Sequence, residues 1–462
     1  MAKENMNVIW IIADTFRRDV LGAYGNKKIH TPSLDSLAAI SARFNRHYAA
    51  SFPTMPARAD FFTGRYSLSF MQWEPLPHDH VTLPQLLLEK DIHTAAVVDT
   101  PFFVRNGMNY DKGFQTFHEI ELQSTMVYRQ EEMRSQWVDE SDRFAPRTFT
   151  KAMKWLERHY KDHFFLYIDT WDPHEAWDAP NYYTELYWPD YDGEIIDPIY
   201  GYWQGGPDLP DYSEDKVKKA YATYCGEVTM VDTWIGYFLR QVENMNLMDK
   251  TAIIFTSDHG FYFGEHGGLF GKACRVKESE EKLSHQELGE VWVHSPIYEE
   301  VSIIPLLIYL PNQKPVVYDG LTSAIDLMPT ILDIMGQEMP SFVEGRSLLP
   351  AIKDPTVPGW QYVITSHFLG NPGDTVRMVD DNTRKLTMAT TPTITTAEWT
   401  LLCAVEPGLS ELYHLKKDPR QEKNVITQHA DKAYELHQLF VKFMKETNVS
   451  SDRINPRLEL RI

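Results

Sequence analysis

The chain has 462 residues, of which 43% are hydrophobic and 24% are charged, and its formal net charge is −20 at pH 7. This length and composition predict a globular protein with one large domain and one smaller domain. The negative charge argues against nucleic acid or an anionic membrane as a partner, because their phosphates would be repelled. A small anionic substrate is still compatible with this charge, because a bound cation can dominate the field inside a site.

Cysteine content and the N-terminus bear on the cellular compartment. Cys225, Cys274 and Cys403 form neither a disulfide framework nor a metal-binding spacing. No signal-peptide pattern precedes the first strand-like run at residues 8–13, and no apolar run approaches the roughly 18 residues of a membrane span. We therefore expect a cytoplasmic protein. The sequence is compatible with a homo-oligomer but does not specify one.

Apolar, β-branched runs alternate with segments of helical length along most of the chain. The runs predict buried strands of a mostly parallel sheet at residues 8–13, 94–98, 164–168, 251–256 and 305–309. Helices are predicted to begin at Thr31-Pro32-Ser33 and to span about residues 144–160 and 214–243. Such alternation predicts a layered α/β domain with right-handed crossovers.

Three segments depart from this alternation. Residues 181–212 are rich in Pro, Gly, Tyr and Trp and are predicted to form a long surface loop. Residues 273–295 are polar and are predicted to form an insertion. Toward the C-terminus the strands become shorter, and one late helix is predicted at residues 430–446. We therefore divide the chain into a main α/β domain, residues 1–358, and a smaller α+β domain, residues 359–462.

Charged side chains directly follow three of the predicted strands. Asp14 follows the first strand, residues 169–174 follow the third, and Asp258 with His259 follows the strand at residues 251–256. Sites in α/β sheets form beyond the carboxyl ends of the strands, so we expect these residues to lie together. A carboxylate beside an imidazole suits a divalent metal ion, although a lone aspartate at such a place can equally cap a helix.

The segment Thr54-Met55-Pro56-Ala57-Arg58 predicts the start of a helix, because Pro56 presets the backbone of a first turn. Backbone N–H groups and the positive end of the helix dipole favour a tetrahedral anion there. Arg58, one turn further on, would bind the oxygens of that anion. Taken alone, Thr54 would more simply be an N-cap and Arg58 a surface cation.

The Thr54 segment, followed by Thr63-Gly64-Arg65, resembles the sulfatase family signature Cys/Ser-x-Pro-x-Arg. Other motifs similar to that family occur in order along nearly the whole chain: Asn7 to Asp14, His30 to Asp35, Ser257 to Gly260, Gly264 to Gly267, Gly271-Lys272, Asp326 to Asp333, Gly345 to Pro350 and Glu411 to Tyr413. The resemblance implies the fold of the alkaline phosphatase superfamily. In that fold a large, mostly parallel sheet is sandwiched by helices and followed by a smaller C-terminal α+β subdomain.

The resemblance also implies a metal site. By position, Asp14, Thr54, Asp258 and His259 would be ligands of one divalent ion. Many calcium-binding sulfatases have Asp-Asp at the first motif, whereas this chain has Asp14-Thr15 and so lacks one oxygen ligand. A histidine ligand in a site of lower charge favours Mn, Zn or Fe, and Ca stays compatible with the oxygen ligands.

Substrate contacts follow from the same resemblance. Arg58 and Lys272 would hold the non-bridging oxygens of the substrate, and His174 would serve the leaving group or the bound oxygens. The Gly-Lys-x-His segment of many arylsulfatases is absent, and Asp99-Thr100-Pro101 stands in its place, as in the branch with phosphonate monoester hydrolases. A packing role is favoured for His266. The further candidates for substrate binding are Asp99, Thr100, His266 and His294.

The threonine at position 54 changes the expected chemistry. Formylglycine arises by oxidation of Cys or Ser at the β-carbon, and threonine, with a methyl group there, would give a ketone instead. We therefore expect no formylglycine and a direct attack by the Thr54 hydroxyl through a covalent phospho-enzyme. The favoured hypothesis is a hydrolase of phosphate or phosphonate mono- or diesters. The alternatives are a sulfatase that works without formylglycine and a catalytically silent binding protein.

Overall fold

Eight strands form one central sheet in the computed structural model of the chain, which describes residues 6–100, 107–120, 133–198, 201–202, 213–272, 274–276, 291–293, 295–377, 383–386 and 388–462. In chain order the strands are β1 (Asn7–Ala13), β2 (Ala42–Phe44), β3 (His93–Val98), β4 (Thr116–Glu119), β5 (Phe164–Thr170), β6 (Thr251–Thr256), β7 (Leu306–Tyr309) and β8 (Val316–Tyr318). All five predicted strands are present, and β2, β4 and β8 are additional.

The spatial order of the strands is β8-β2-β7-β6-β1-β5-β3-β4. Strand β1 lies between β5 and β6 and runs parallel to both, with Val8 opposite Phe165 and Ile12 opposite Thr256. Strand β7 is antiparallel to both of its neighbours. The prediction of a mostly parallel sheet is thus confirmed, with one reversed strand among the five that the sequence indicated.

Helices cover both faces of this sheet, and the last helix packs against the second sheet described below. In chain order they are α1 (Pro32–Ala39), α2 (Thr54–Thr63), α3 (Leu83–Leu88), α4 (Phe144–His159), α5 (Glu214–Asn244), α6 (Leu327–Ile334), α7 (Leu349–Lys353) and α8 (Ala430–Glu446). The predicted bounds of α4, α5 and α8 agree with the structure to within one residue, and α1 begins at the predicted proline. None of the helices that the structure describes is long and apolar enough to cross a membrane.

Side chains of β1 alternate between two apolar cores, one on each face of the sheet. Trp10 is fully buried in the core that α2, α3 and α6 cover, and its ring centroid lies 5.4 Å from those of Phe61 and Tyr167. Ile11 belongs to the opposite core, together with Phe149 of α4 and further residues of α5. Burial on both faces explains why β1 is a nearly continuous apolar run in the sequence.

A second sheet has four antiparallel strands in the order β9 (Tyr362–Thr365), β10 (Thr393–Thr396), β11 (Trp399–Leu402) and β12 (Glu411–His414). Ile364 and Leu401 of this sheet and Phe440 of α8 belong to the same apolar core as Trp10. The division between residues 358 and 359 stays a prediction. Strands β9 to β12 all follow that point, while the apolar core continues across it.

Short segments complete the described fold. Helical turns of four residues occur at Asn181–Thr184, Glu265–Gly268, Glu299–Ser302 and Ser451–Ile454. Short strands occur at His47–Tyr48, Gly201–Tyr202, Tyr262–Gly264, Leu269–Gly271, Cys274–Val276, Val291–Val293, Ile303–Ile304, Thr322–Ser323, Thr375–Arg377 and Thr383–Lys385. The predicted insertion at residues 273–295 contains the antiparallel pair 274–276 and 291–293, and its remaining part before residue 291 lies outside the described residues.

One buried histidine makes the stability of this fold depend on pH. His47 lies in a short strand between Ile303–Ile304 and Thr322–Ser323, and its Nδ1 is 3.0 Å from Thr322 Oγ1. Burial lowers the pKa of His47 to about 3, because the charged imidazolium would lose its hydration. Below the unfolded-state pKa of about 6.5, the unfolded chain therefore binds a proton that the folded chain does not bind.

We predict that replacing this histidine makes the free energy of unfolding fall less steeply as the pH is lowered. As the pH falls from about 6.5 toward 3, His47 lowers the free energy of unfolding by up to about 1.4 kcal/mol per pH unit. His47→Gln cannot titrate, so its loss of stability between pH 7 and pH 5 should be smaller by about 2 kcal/mol in urea unfolding. The exposed His78→Gln is the matched control. Equal losses in wild type and His47→Gln would contradict this prediction.

Candidate active site

The carboxyl ends of adjacent strands bring the predicted metal ligands together. Asp14 follows β1, while Asp258 and His259 follow β6, and Asp14 N donates to Thr170 O at the end of β5. Asp14, Asp258 and His259 are fully buried, and one ligand atom from each lies within 4.8 Å of the others. The expected proximity of these residues is therefore present in the structure.

Arg58 of α2 is the cation that holds these carboxylates. Its Nη1 lies 2.9 Å from Asp14 Oδ2 and also contacts Asp258 Oδ2. Its Nη2 and Nε bind Asp169 in a bidentate pair, at 2.8 Å and 3.1 Å. All four side chains are fully buried. The sequence predicted that Arg58 would bind substrate oxygens, whereas its guanidinium here is occupied by carboxylates that end three adjacent strands.

Asp169 is a site residue to which the sequence interpretation gave no role. It belongs to β5, where a carboxylate follows the apolar run, and this position led the sequence analysis to place residues 169–174 near Asp14 and Asp258. Besides Arg58, its partners are the hydroxyl groups of Tyr167 and Thr100, and Thr100 Oγ1 lies 2.9 Å from Asp169 Oδ1. These contacts fix Asp169, and through it the plane of the guanidinium.

The cluster has properties that fit a divalent cation. Burial and the neighbouring Asp258 carboxylate raise the pKa of Asp14, because two anions in the interior repel each other. Both ligand atoms are buried inside the cluster: Asp14 Oδ2 is ion-paired with Arg58 Nη1 at 2.9 Å, and His259 Nε2 lies 3.3 Å from Asp258 Oδ2 without a hydrogen bond among the described residues. His259 Nδ1 donates to Gly260 O at 2.9 Å, which leaves the lone pair on Nε2. Two carboxylates and a neutral imidazole are a donor set for one metal ion.

Gly260 positions His259 through a close approach of two backbone segments. A side chain is excluded there, because a β-carbon at Gly260 would lie 1.9 Å from Glu300 O. Gly260 N also donates to Val301 O at 2.9 Å, so this close approach fixes the chain directly after His259.

Thr54 begins the fully buried helix α2, as the sequence predicted. The residue is 1% exposed and precedes Arg58 by about one turn. The ring of Phe52, two residues earlier, lies 4.7 Å from the ring of His259 in an edge-to-face arrangement. Contacts on both sides of Thr54 thus hold the start of α2 against the metal-ligand cluster.

Lys272 and His174 adjoin the cluster from another side. Lys272 Nζ contacts His174 Nε2 and lies 3.5 Å from Thr15 Oγ1, which donates to Asp14 Oδ1 at 2.6 Å. The ring of His174 stacks on Trp171 with centroids 3.7 Å apart. Burial and the charge of Lys272 lower the pKa of His174, so its imidazole is neutral. His174 and Lys272 are therefore connected through Thr15 to Asp14, and through Asp14 to Arg58.

Glu175 is a second residue whose role the sequence interpretation missed. Its carboxylate lies 3.7 Å from Lys272 Nζ, and its backbone oxygen accepts from His174 Nδ1 at 2.8 Å. Burial raises the pKa of Glu175 to about 7, although Lys272 acts in the opposite direction. This residue orients His174 and offsets part of the charge on Lys272.

The structure places Asp99 and Thr100 in the interior. Asp99 Oδ2 accepts from Thr148 Oγ1 at 2.7 Å and from Thr170 Oγ1 at 3.0 Å, and Thr100 donates to Asp169. Asp99 and Thr100 are 1% and 0% exposed. These contacts join the ends of β3 and β5, which differs from the substrate contact that the sequence suggested for both residues.

The two other predicted substrate contacts have different outcomes. His266 stacks on Tyr298 with centroids 3.6 Å apart, and its Nε2 lies 2.8 Å from Glu300 Oε2, which agrees with the packing role favoured for it. His294 lies outside the described residues. His266 also lines a cavity of about 990 Å³ together with Arg17 and Glu265, and that cavity is not lined by Thr54, Lys272 or the metal-ligand cluster.

Comparisons with known proteins cover nearly the whole chain. The family model described as Sulfatase matches residues 6–337, and the model described as N-sulphoglucosamine sulphohydrolase, C-terminal, matches residues 292–448. An arylsulfatase of Clostridium perfringens is 23% identical over 91% of this chain and 90% of its own length. The multifunctional alkaline phosphatase superfamily protein PehA of Trinickia caryophylli is 24% identical over 81% of this chain and 84% of its own.

A solved structure supports the fold. The phosphonate monoester hydrolase of Agrobacterium radiobacter is similar with a TM-score of 0.74 and 19% identity, and the match covers 96% of each chain. The predicted α/β fold, with its large central sheet between helices and a smaller antiparallel sheet toward the C-terminus, is thereby confirmed.

We predict that the metal-ligand cluster binds one divalent ion and that this binding requires the Asp258 carboxylate. Asp258→Asn keeps the size of the side chain but removes its charge, so the purified variant should contain one divalent ion per chain fewer than wild type. Elemental analysis by mass spectrometry measures this directly. The exposed Asp79→Asn, which leaves the cluster intact, is the control. An unchanged metal content in Asp258→Asn would refute the ligand assignment.

Proposed function

This chain belongs to the sulfatase family of ester-hydrolysing enzymes, and we propose that it hydrolyses phosphate or phosphonate mono- or diesters with Thr54 as the in-line nucleophile. The observation that carries the proposal is the place of Thr54. It occupies the nucleophile position of the family motif at the start of α2, between Phe52, whose ring contacts that of His259, and Arg58, which pairs with the carboxylates of the cluster. A hydroxyl group at this position can attack phosphorus without prior oxidation.

Threonine is incompatible with the usual nucleophile of this family. The aldehyde of formylglycine forms from a Cys or Ser side chain, whose β-carbon carries two hydrogens, whereas the β-carbon of Thr54 carries a methyl group. Cys225 and Cys403 do not replace it, because they are buried in α5 and directly after β11. Thr54 would therefore act through its own hydroxyl group and form a phosphothreonine intermediate.

Asp14, Asp258 and His259, with Thr54 as fourth ligand, would hold one divalent ion. Sulfatases and alkaline phosphatase-like enzymes use such an ion, which when bound would lower the pKa of the Thr54 hydroxyl and offset charge on the phosphoryl oxygens. The imidazole ligand, together with Thr15 in place of a second aspartate, favours Mn, Zn or Fe. Calcium stays compatible with the oxygen ligands.

Three further residues, Arg58, Lys272 and His174, would have different roles according to their contacts. Arg58 would keep three carboxylates in place, because its guanidinium is already paired with them. Lys272 would turn its ammonium group from His174 to a non-bridging oxygen of the substrate, where negative charge develops in the transition state. Neutral His174 would then have a free Nε2 and would accept a proton from the water that opens the phospho-enzyme.

A sulfatase that works without formylglycine is the second candidate. It is favoured by the match to the Sulfatase model over residues 6–337 and by the arylsulfatase among the relatives. Chemistry disfavours it. A hydrated aldehyde releases sulfate by collapsing to a carbonyl, and a sulfate ester of Thr54 has no such route.

We predict that turnover of an aryl phosphate or phosphonate ester requires the Thr54 hydroxyl. Thr54→Ala should lower kcat/KM by a factor of at least about 10³, while Thr54→Ser, which keeps a primary hydroxyl, should stay within about tenfold of wild type. Thr63→Ala, at the other end of the same buried helix, is the matched control. Circular dichroism should be unchanged in Thr54→Ala, and assays at saturating metal separate loss of the nucleophile from loss of the fourth metal ligand. Wild-type turnover by Thr54→Ala would show that another group attacks.

We predict that the identity of residue 54 sets the preference between phosphorus and sulfur esters. Wild type should hydrolyse aryl phosphonates or phosphates at least about tenfold faster than the matching aryl sulfate. Thr54→Cys restores the Cys-x-Pro-x-Arg pattern, so co-expression with a formylglycine-generating enzyme should raise sulfate hydrolysis relative to phosphonate hydrolysis. A tenfold preference of wild type for the aryl sulfate would refute the proposed substrate class.

A further inference from the structure

A second cluster of metal-ligand side chains lies at the opposite end of the central sheet. His93 is the first residue of β3, His159 is the last residue of α4, and Asp162 lies in the turn that leads to β5. One ligand atom from each of these residues lies within 4.8 Å of the others. Strand β3 runs from this cluster toward the catalytic edge, and its six residues span about 20 Å.

The two imidazole rings face a single carboxylate oxygen. His159 Nδ1 lies 2.8 Å and His93 Nδ1 lies 3.1 Å from Asp162 Oδ2. In a tetrahedral zinc site with bonds of about 2.0–2.1 Å, neighbouring ligand atoms are about 3.3–3.4 Å apart. The two rings and the carboxylate would therefore need to separate by only a few tenths of an ångström to admit an ion.

Neighbouring side chains hold both rings in place. The indole of Trp155, which is 4% exposed, stacks on His159 at 4.6 Å between centroids and contacts His93 edge-on at 5.2 Å. Thr116 Oγ1 lies 3.2 Å from His93 Nε2 and can accept its proton, which would leave the Nδ1 lone pair free. The backbone adds to this order, since His93 N donates to His163 O at 2.9 Å.

We propose that His93, His159 and Asp162 bind one zinc ion, with water as the fourth ligand, and that this ion links β3 to the end of α4 and to the following turn. The side chains are 17%, 28% and 44% exposed, so the ion and its water have access from solvent. Two imidazole nitrogens select zinc over calcium or magnesium, which prefer oxygen ligands. The proton now on each Nδ1 moves to Nε2 or to solvent when the ion binds.

The proposed ion has a structural role. It lies at the end of the sheet opposite Asp14 and Asp258, so it takes no part in ester hydrolysis. Because the three ligands come together only in the folded chain, zinc would bind the folded state and raise the temperature of unfolding. Without an ion, the same residues would be a hydrogen-bonded triad whose stability does not respond to zinc.

Zinc content per chain tests this proposal independently of any enzymatic activity. Apo-protein is dialysed against micromolar zinc with excess magnesium, and the bound zinc is counted by elemental analysis together with the unfolding temperature. Asp162→Asn and His159→Gln should each lose one zinc ion per chain and most of the zinc-induced rise in unfolding temperature. Asp162 and His159 are solvent-accessible, so both variants should fold. The exposed His78→Gln is the control and should keep the wild-type zinc content.

The same substitution in a second background separates this site from the active site. Asp162→Asn should remove one zinc ion whether Asp258 is present or replaced by Asn, because the two clusters are at opposite ends of the sheet. An unchanged zinc count on Asp162→Asn in both backgrounds would overturn the proposal and leave the hydrogen-bonded triad. Loss of zinc in either background supports it, whatever Asp258→Asn alone does.

Discussion

The buried ion cluster around Arg58 is the interaction on which the rest of the site depends. One guanidinium from α2 pairs with Asp14, Asp169 and Asp258, which end three adjacent strands of the central sheet. Removing one partner from a buried ion pair costs about 3–5 kcal/mol. Here, removal of Arg58 alone would leave three carboxylates in the interior without the cation that they share. The same contact therefore fixes the helix, its first residue Thr54 and the edge of the sheet relative to one another.

This constraint separates the residues that hold the site from those that would perform chemistry. Arg58 is committed to carboxylates, while the Lys272 ammonium, 12% exposed, faces a neutral imidazole, a hydroxyl, two aromatic rings and a carboxylate at 3.7 Å. Lys272 is therefore the cation with freedom to turn toward a substrate. Thr15 accepts a hydrogen bond from Lys272 and donates one to Asp14. Binding of an anion by the lysine would therefore alter the hydrogen bonding of the metal ligand Asp14.

Sequence patterns predicted the parts of this arrangement that depend on local chemistry. Strand β1 was predictable because both of its faces are buried, which makes it a continuous apolar run in the sequence. The start of α2 was predictable because proline at position 56 presets a helical turn. Direction and pairing were not predictable in this way. An apolar run does not reveal that β7 is antiparallel, and the bidentate partner of Arg58 lies 111 residues away in sequence. The burial of Asp99 and Thr100 likewise follows from packing between strands.

In the proposed mechanism, the hydroxyl of Thr54 itself carries the phosphoryl group. Rapid mixing with an aryl phosphate or phosphonate, acid quench and peptide mass spectrometry would detect the covalent intermediate and locate it. We expect one phosphoryl or phosphonyl group on the peptide that contains Thr54, formed within the first turnover and absent from Thr54→Ala. A modified peptide from elsewhere in the chain, with Thr54 unmodified under the same conditions, would contradict it.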